Sequence, residues 1–139
     1  MFTTGEELHG CGYAVRTVHN GIRSTATNYV LNENVRDRIT VKTSTLVDKL
    51  LLETNNGDFK ATGVESVLQD GRKVIYKAKR EVILSAGPYC SPAILLRSGI
   101  GPKAEVEEQS IRSVIDLAGV GKNLMDHIAS HSPSIAKRC

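Results

Sequence analysis

The sequence lacks the features that would place it among membrane or exported proteins. None of its apolar runs approaches the roughly 20 residues that a membrane-spanning helix needs. The first seven residues carry acid where a signal peptide needs basic and then apolar residues, and no Asn-x-Ser/Thr acceptor for glycosylation occurs. The sequence therefore predicts neither a membrane span nor export.

Cysteine is scarce, and its spacing excludes two common kinds of site. The three cysteines, Cys11, Cys90 and Cys139, form no CxxC pair and no spacing typical of a zinc site. Their odd number favours free thiols in a reducing compartment. Together with the missing export signals, this favours a cytoplasmic location.

The charged residues are not concentrated in any one segment of the chain. The net charge of +3 is spread along the chain, with acids and bases interleaved in residues 34–38 and again in residues 77–81. A nucleic-acid-binding protein would instead concentrate its basic residues on one face or one segment. The composition, 40% hydrophobic over 139 residues, predicts a single ordinary globular domain that does not bind nucleic acid.

The sequence contains two strong turn signals. Asn55–Asp58 and the pair Asp70 and Gly71 combine residues that tolerate a positive φ. Apolar and β-branched residues surround both turns and predict a β-meander, with one more strand before it. The predicted strands cover residues 39–43, 46–52, 61–69 and 72–79.

A continuously apolar segment, Glu81–Leu84, then predicts a short strand buried on both faces of a parallel sheet. After it, Ser91 is a suitable N-cap, Pro92 suits the first helical position, and Gly99 suits the residue that ends a helix. Proline, glycine and the spacing of apolar residues predict the elements that follow. The segment as a whole predicts helices over residues 92–98 and 102–109, a strand over 113–117 and a turn over 119–121.

The stretch from Gly87 to Gly101 resembles the second sequence signature of the glucose-methanol-choline (GMC) oxidoreductases. The strand before it and the block Asp116–His127 after it are also similar to that family, with Ala118 where the family has proline. The resemblance covers residues 21–127, whereas residues 1–20 and 128–139 are predicted to be irregular. The constrained signature positions are filled by Gly87, Pro88, Ser91, Pro92, Leu95, Leu96, Ser98, Gly99, Ile100 and Gly101.

The resemblance implies an α/β fold, namely an incomplete Rossmann-type FAD-binding domain that spans residues 1–139, with a small β-meander and short helices. FAD would be the cofactor, its adenine end lying over the carboxyl ends of strands. Two elements are implied to contact it: Val47, through its backbone, and the turn of Ser85, Ala86 and Gly87, where small side chains admit a nucleotide. The alternatives are a strand residue in the core for Val47 and a packing turn for residues 85–87.

Two parts that such an enzyme needs are missing from the sequence. No Gly-x-Gly-x-x-Gly loop joins a strand to a helix near the N-terminus, and Gly99–Ala104, which matches superficially, follows a helix. The histidine that takes the hydroxyl proton in relatives lies beyond the region of resemblance. His127 and His131, four residues apart, have no third ligand nearby, which favours a solvated pair over a metal site.

Two functions therefore remain open. The first is a fragment of an FAD-dependent oxidoreductase that acts on the CH–OH group of an alcohol by hydride transfer to flavin, with the isolated chain inactive. The second is a non-catalytic remnant that serves as a binding or interaction module. The identity of the alcohol is not encoded in these residues.

Overall fold

The structure, a computed structural model, describes residues 17–30, 32, 34 and 36–126. The chain divides into two compact units, residues 1–43 and residues 44–139. The predicted irregular termini fall outside the described residues, apart from residues 17–20, and so do His127 and His131. Within the described part, no helix is both long and apolar enough to cross a bilayer.

The first unit contains a small hairpin and a short helix. Strands β1 (Val18–His19) and β2 (Ile22–Arg23) pair antiparallel, and the turn between them carries positive φ at Asn20 and Gly21. Helix α1 (Ala26–Val30) follows, and a 3-10 turn spans Arg36–Arg38.

The strand predicted over residues 39–43 is wrong. These residues form no ladder, and the side chains of Ile39 and Val41 are 43% and 56% exposed. Alternating apolar residues supply a local preference for extended backbone, but a strand also requires a neighbour whose backbone it can pair with. None of the described strands pairs with this segment.

The predicted β-meander is confirmed in the second unit. Strands β3 (Thr45–Asn55), β4 (Asp58–Leu68) and β5 (Lys73–Lys77) form an antiparallel sheet in the order β3-β4-β5. The turn at Asn56 and Gly57 has positive φ at both residues, which is the two-residue hairpin that an Asn-Gly pair favours. Because β3 lies at an edge, one side of its backbone has no strand partner in this sheet.

The helical region begins earlier than the sequence predicts. Helix α2 spans Gly87–Arg97, so Pro92 lies inside it rather than at its start. Gly87 has a φ of 87° and makes the sharp entry, and Pro88 takes the early position where no N–H is needed. The predicted bend between residues 81–84 and the helix is present.

A miniature strand-helix-strand unit follows α2. Strand β6 (Ile100–Gly101) leads into helix α3 (Lys103–Glu108), which is close to its predicted bounds, and strand β7 (Ile115–Asp116) returns parallel to β6. The strand predicted over residues 113–117 is therefore present but shorter. A turn follows over residues 118–121, as the glycines predict.

The segment Glu81–Leu84 is not a buried strand, which corrects the prediction. It belongs to no ladder, and Ile83 is 76% exposed, whereas Val82 and Leu84 pack against the core. A strand buried on both faces needs neighbours in the sheet and covering helices, and the described residues place no strand beside this one.

The core of the second unit lies between the sheet and α2. Leu50 of β3, Ile94 of α2 and Ile100 of β6 are buried together. Strands and helices thus mix in one layered unit, as expected of a partial Rossmann-type α/β fold. Seven half-buried side chains pack around that cluster: Val47, Leu52, Val64, Val82, Leu84, Leu95 and Ile115.

Candidate functional site

The second unit has an open groove of about 830 Å³ between the start of β3, the segment 82–86 and helix α2. This volume falls within the range of small-molecule sites, roughly 300–1,000 Å³. The lining is largely apolar. It consists of Thr45, Leu46, Val47, Asp48, Val64, Val82, Ile83, Leu84, Ser85, Ala86, Cys90, Ala93, Ile94 and Arg97.

Three of the four residues implied by the family resemblance line this groove. Val47 lies on the β3 side, whereas Ser85 and Ala86 lie on the opposite side, 38 and 39 positions further along the chain. Gly87 does not line the groove but starts α2 directly beside it. A Cβ added at Gly87 would meet no atom within 4 Å, so its φ of 87°, and not packing, calls for glycine.

The wall formed by residues 82–86 is attached to α2 by one side chain. Ser91, in the second turn of α2, accepts a hydrogen bond at its Oγ from the Ala86 backbone N–H over 2.9 Å. Val82 and Leu84 hold the same segment from below through apolar contact with the core. The sequence suggested Ser91 as an N-cap, and the structure shows that it fixes the loop before the helix instead.

The β3 wall is attached to the C-terminal end of α2. The register between β3 and β4 shifts between Val47 and Lys49, so Asp48 is the extra residue of a β-bulge. Arg97 donates from Nε to the Asp48 carbonyl over 2.9 Å, and the same Nε forms an ion pair with Asp48 Oδ1, also over 2.9 Å. Next to it, Ser98 Oγ accepts the Leu50 N–H over 2.8 Å and donates to the Ile94 carbonyl over 2.6 Å.

The last part of the signature is explained by packing. A Cβ at Gly99 would lie 2.4 Å from the Arg112 carbonyl oxygen, and one at Gly101 would lie 2.4 Å from Leu96 Cδ2. The Gly99 carbonyl accepts from the N–H groups of Val114 and Ile115, which brings the returning chain against β6. These two glycines therefore close the fold behind the groove and do not line it.

Charge in the groove is balanced. Asp48 and Arg97 are the charged lining residues and they pair with each other. A second cluster of charges, formed by Glu65, Lys73 and Lys49, lies elsewhere. None of these three residues lines the groove. There, the hydrogen bond from Lys73 holds the pKa of Glu65 below its ordinary value of 4.5.

The groove offers little for acid–base chemistry. Its lining contains no histidine, and its one thiol, Cys90, is exposed in the first turn of α2. Among the residues that the structure describes, no group of three or more His, Cys, Asp or Glu side chains could hold a metal ion. The arrangement is suited to binding and orienting a flat, largely apolar group.

Sequence reasoning missed two residues of this site. Arg97 and Asp48 are 49 positions apart and neither belongs to a local pattern, so only the fold brings them together. A basic residue in the last turn of a helix, such as Arg97, can be recognised in the sequence. It indicates a favourable interaction with the helix dipole and does not identify a distant partner.

Comparison with known proteins agrees with the resemblance in the signature. The sequence profile described as GMC oxidoreductase matches residues 3–129. The oxygen-dependent choline dehydrogenase of Pseudomonas putida is 40% identical over 127 residues, which are 89% of this chain and 22% of that protein. The glucose dehydrogenase [FAD, quinone] of Drosophila melanogaster is 36% identical over 125 residues, 89% of this chain and 20% of that protein.

Solved structures give the same result. The formate oxidase of Aspergillus oryzae RIB40, studied for its FAD modification, has a TM-score of 0.71 and 36% identity over 80% of this chain and 18% of its own. An FAD-dependent oxidoreductase from Chaetomium thermophilum has a TM-score of 0.61 and 32% identity over 68% of this chain and 16% of its own. The chain spans about a fifth of the length of the relatives it matches. It belongs to the GMC oxidoreductase family, whose cofactor is FAD.

Proposed function

We propose that this chain is a segment of an FAD-dependent oxidoreductase acting on CH–OH groups, and that it forms part of the adenine side of the FAD site. The observation that carries the proposal is the groove, which brings Val47, Ser85 and Ala86 to one surface although they lie far apart in the sequence. The reaction class is inferred from the relatives. The role of this segment in the reaction is inferred from the groove.

The groove suits an adenosine moiety in shape and chemistry. Its walls are mainly aliphatic, which favours burial of a flat ring, and the small side chains of Ser85 and Ala86 leave their backbone accessible. On the other side, β3 presents a strand edge near Val47. Backbone N–H and C=O groups on a strand edge can pair with the donor and acceptor groups on the edge of an adenine ring.

When bound, FAD supplies the isoalloxazine ring that accepts hydride from the substrate carbon. The residues of this chain contribute binding, orientation and exclusion of water at the other half of the cofactor. Because the groove is assigned to the adenine half of the cofactor, the proton of the substrate hydroxyl is taken by a group outside it. The groove therefore serves to hold the cofactor.

The names of the relatives support an alcohol as the substrate class. Choline and glucose, named for two of them, both carry hydroxyl groups, which supports an alcohol as substrate of the protein to which this segment belongs. The choice among alcohols would be made by residues outside the groove, because the groove lies at the adenine side in this proposal.

The exposure of apolar side chains favours a segment of a larger protein over a free-standing binding module. Among the described residues, four hydrophobic side chains are buried, whereas thirteen large ones are exposed, including Leu46 and Ile83, which line the groove. Exposed apolar surface of this kind marks contacts with other protein or with a ligand.

A chimera tests the proposal. Residues 44–126 of this chain would replace the matching segment of the Pseudomonas putida choline dehydrogenase, and the dissociation constant of FAD from the chimera would be measured by flavin fluorescence. Ala86→Leu adds bulk at the groove and should weaken FAD binding roughly tenfold or more, since a side chain forced into a packed contact costs about 1–3 kcal/mol.

The matched control is Ala104→Leu, which makes the same change at an exposed position of α3 that does not line the groove. It should leave FAD binding unchanged. If Ala86→Leu and Ala104→Leu bind FAD alike, or if the chimera folds and binds no FAD, the groove is not the adenine site.

A further inference from the structure

The contact between Arg97 and Asp48 is the feature of the groove that neither the signature nor the proposed function explains. Arg97 occupies a position that the signature leaves free, yet its Nε contacts both the backbone carbonyl and the carboxylate of Asp48 at 2.9 Å. Both side chains are partly exposed, at 40% and 32%, and both line the groove. An exposed ion pair of this kind contributes little to stability by itself.

What distinguishes this pair is its place on the bulge. A β-bulge leaves one residue without its regular partner in the ladder and locally bends the strand. Asp48 is that residue, and its carbonyl is bound by a charged donor, which makes a stronger hydrogen bond than a neutral one. Arg97 thereby fixes the direction of the β3 backbone at the bulge. Val47, which also lines the groove, is the residue directly before the bulged Asp48.

Helix α2 also holds the opposite wall, through Ser91 and the Ala86 N–H. The two walls of the groove are thus attached to two points of one helix, Ser91 in its second turn and Arg97 at its last residue. The width of the groove between Val47 and Ala86 depends on both attachments. Ser98 holds β3 separately at Leu50, so loss of the Arg97 contact would release the bulge without detaching the strand.

We propose that Arg97 is a positioning residue for the adenine half of FAD, which it serves by fixing the bulged backbone at Asp48 so that Val47 faces the groove. This inference rests on the proposed function, because it assigns the groove to adenine. It adds to that function a residue, Arg97, that acts through the strand and not through the ligand.

The test uses the full-length chimera described above after removal of its FAD, with Arg97→Met, Arg97→Lys and a matched control, Arg72→Met. Arg72 forms an Nε to carboxylate pair with Asp70 over 2.6 Å in the turn after β4, and neither residue lines the groove. Three probes would be titrated into each apoprotein: FAD, FMN, which carries only the flavin half, and ADP, which carries only the adenine half.

Arg97→Met should raise the dissociation constants of FAD and ADP by roughly tenfold, the effect expected for loss of one charge-assisted hydrogen bond. The dissociation constant of FMN should stay within about twofold of the parent chimera, and Arg97→Lys, which keeps a cation, should recover part of the loss. Arg72→Met should change none of the three. The ratio of FAD to FMN affinity is the decisive readout, because a general loss of structure would lower both.

Equal losses of FAD and FMN affinity in Arg97→Met, or no loss of either, would overturn the role of Arg97. If Arg97→Met does not fold, the same ratio measured for Arg97→Lys decides, with a selective loss for FAD and ADP supporting the proposal and its absence contradicting it. The proposed function is judged separately by Ala86→Leu. If that variant binds FAD normally, the groove is not the adenine site and the role of Arg97 falls with it.

Discussion

Gly99 combines a close approach of neighbouring backbone with a positive φ, and replacing it with alanine should strongly destabilise the second unit. The residue has a φ of 82°, in the left-handed region that side chains disfavour. A Cβ there would lie 2.4 Å from the Arg112 carbonyl oxygen and 2.8 Å from Val114 Cγ2. Backbone has to move to admit it, and the hydrogen bonds from Val114 and Ile115 to the Gly99 carbonyl move with it.

The size of the effect follows from two contributions. A non-glycine residue held in a disfavoured backbone region costs about 1–3 kcal/mol. Forcing an extra methyl group into a packed site costs about 1–3 kcal/mol more. The sum, about 2–6 kcal/mol, is a large part of the roughly 5–15 kcal/mol that stabilises a typical domain, and this unit buries few side chains.

The assay is urea unfolding of the 139-residue chain, followed by far-ultraviolet circular dichroism. Gly99→Ala should lower the midpoint sharply or leave no folded baseline. The control is Gly119→Ala, where a Cβ would meet nothing within 4 Å and φ is not positive, so the midpoint should stay close to that of the parent. Equal midpoints for the two variants would show that the close approach at Gly99 does not exist in solution.

Two further predictions concern pH and the cofactor. The hydrogen bond from Lys73 lowers the folded-state pKa of Glu65 below 4.5, so its contribution to stability is complete above pH 4.5 and is lost as the pH falls through the lowered value. The urea midpoint of the parent should therefore decline more steeply over that acid range than that of Glu65→Gln, and parallel declines would contradict the assignment. The isolated chain should bind FAD negligibly, because no Gly-x-Gly-x-x-Gly loop is present to hold the pyrophosphate; a stoichiometric yellow flavin spectrum after purification would refute this.

Local patterns in the sequence predict the β-meander and α3 well. An Asn-Gly turn requires two residues with positive φ, and few other structures satisfy that requirement, so β3 and β4 follow from it. Pro102 likewise marks the start of α3. These elements depend on interactions within a few residues, which a single sequence displays.

The elements that the sequence predicts poorly depend on distant partners. Whether residues 39–43 or 81–84 become strands is decided by neighbours in a sheet, and no local pattern reports on those. The start of α2 was misplaced because Pro88 and Pro92 both suit an early helical position, and Ser91 bonds backward to Ala86 instead of capping the helix.

The residues of the candidate site also differ in whether the sequence predicts them. Val47, Ser85, Ala86 and Gly87 come from the family resemblance, and the structure brings the first three to one groove and places Gly87 beside it. Their contact with FAD stays a prediction. The pair of Asp48 and Arg97 has no sequence signal, because the bulge that gives it a role exists only once β3 and β4 are in register.

The long hairpin of β3 and β4 has two ends of different character. Its start carries the bulge and the groove, whereas its tip at Asn56 and Gly57 lies at the opposite end of two strands of eleven residues each. Added length at the tip would extend the hairpin without displacing either wall of the groove, since exposed turns tolerate insertions. That tip is therefore the place to insert a peptide tag or a reporter domain.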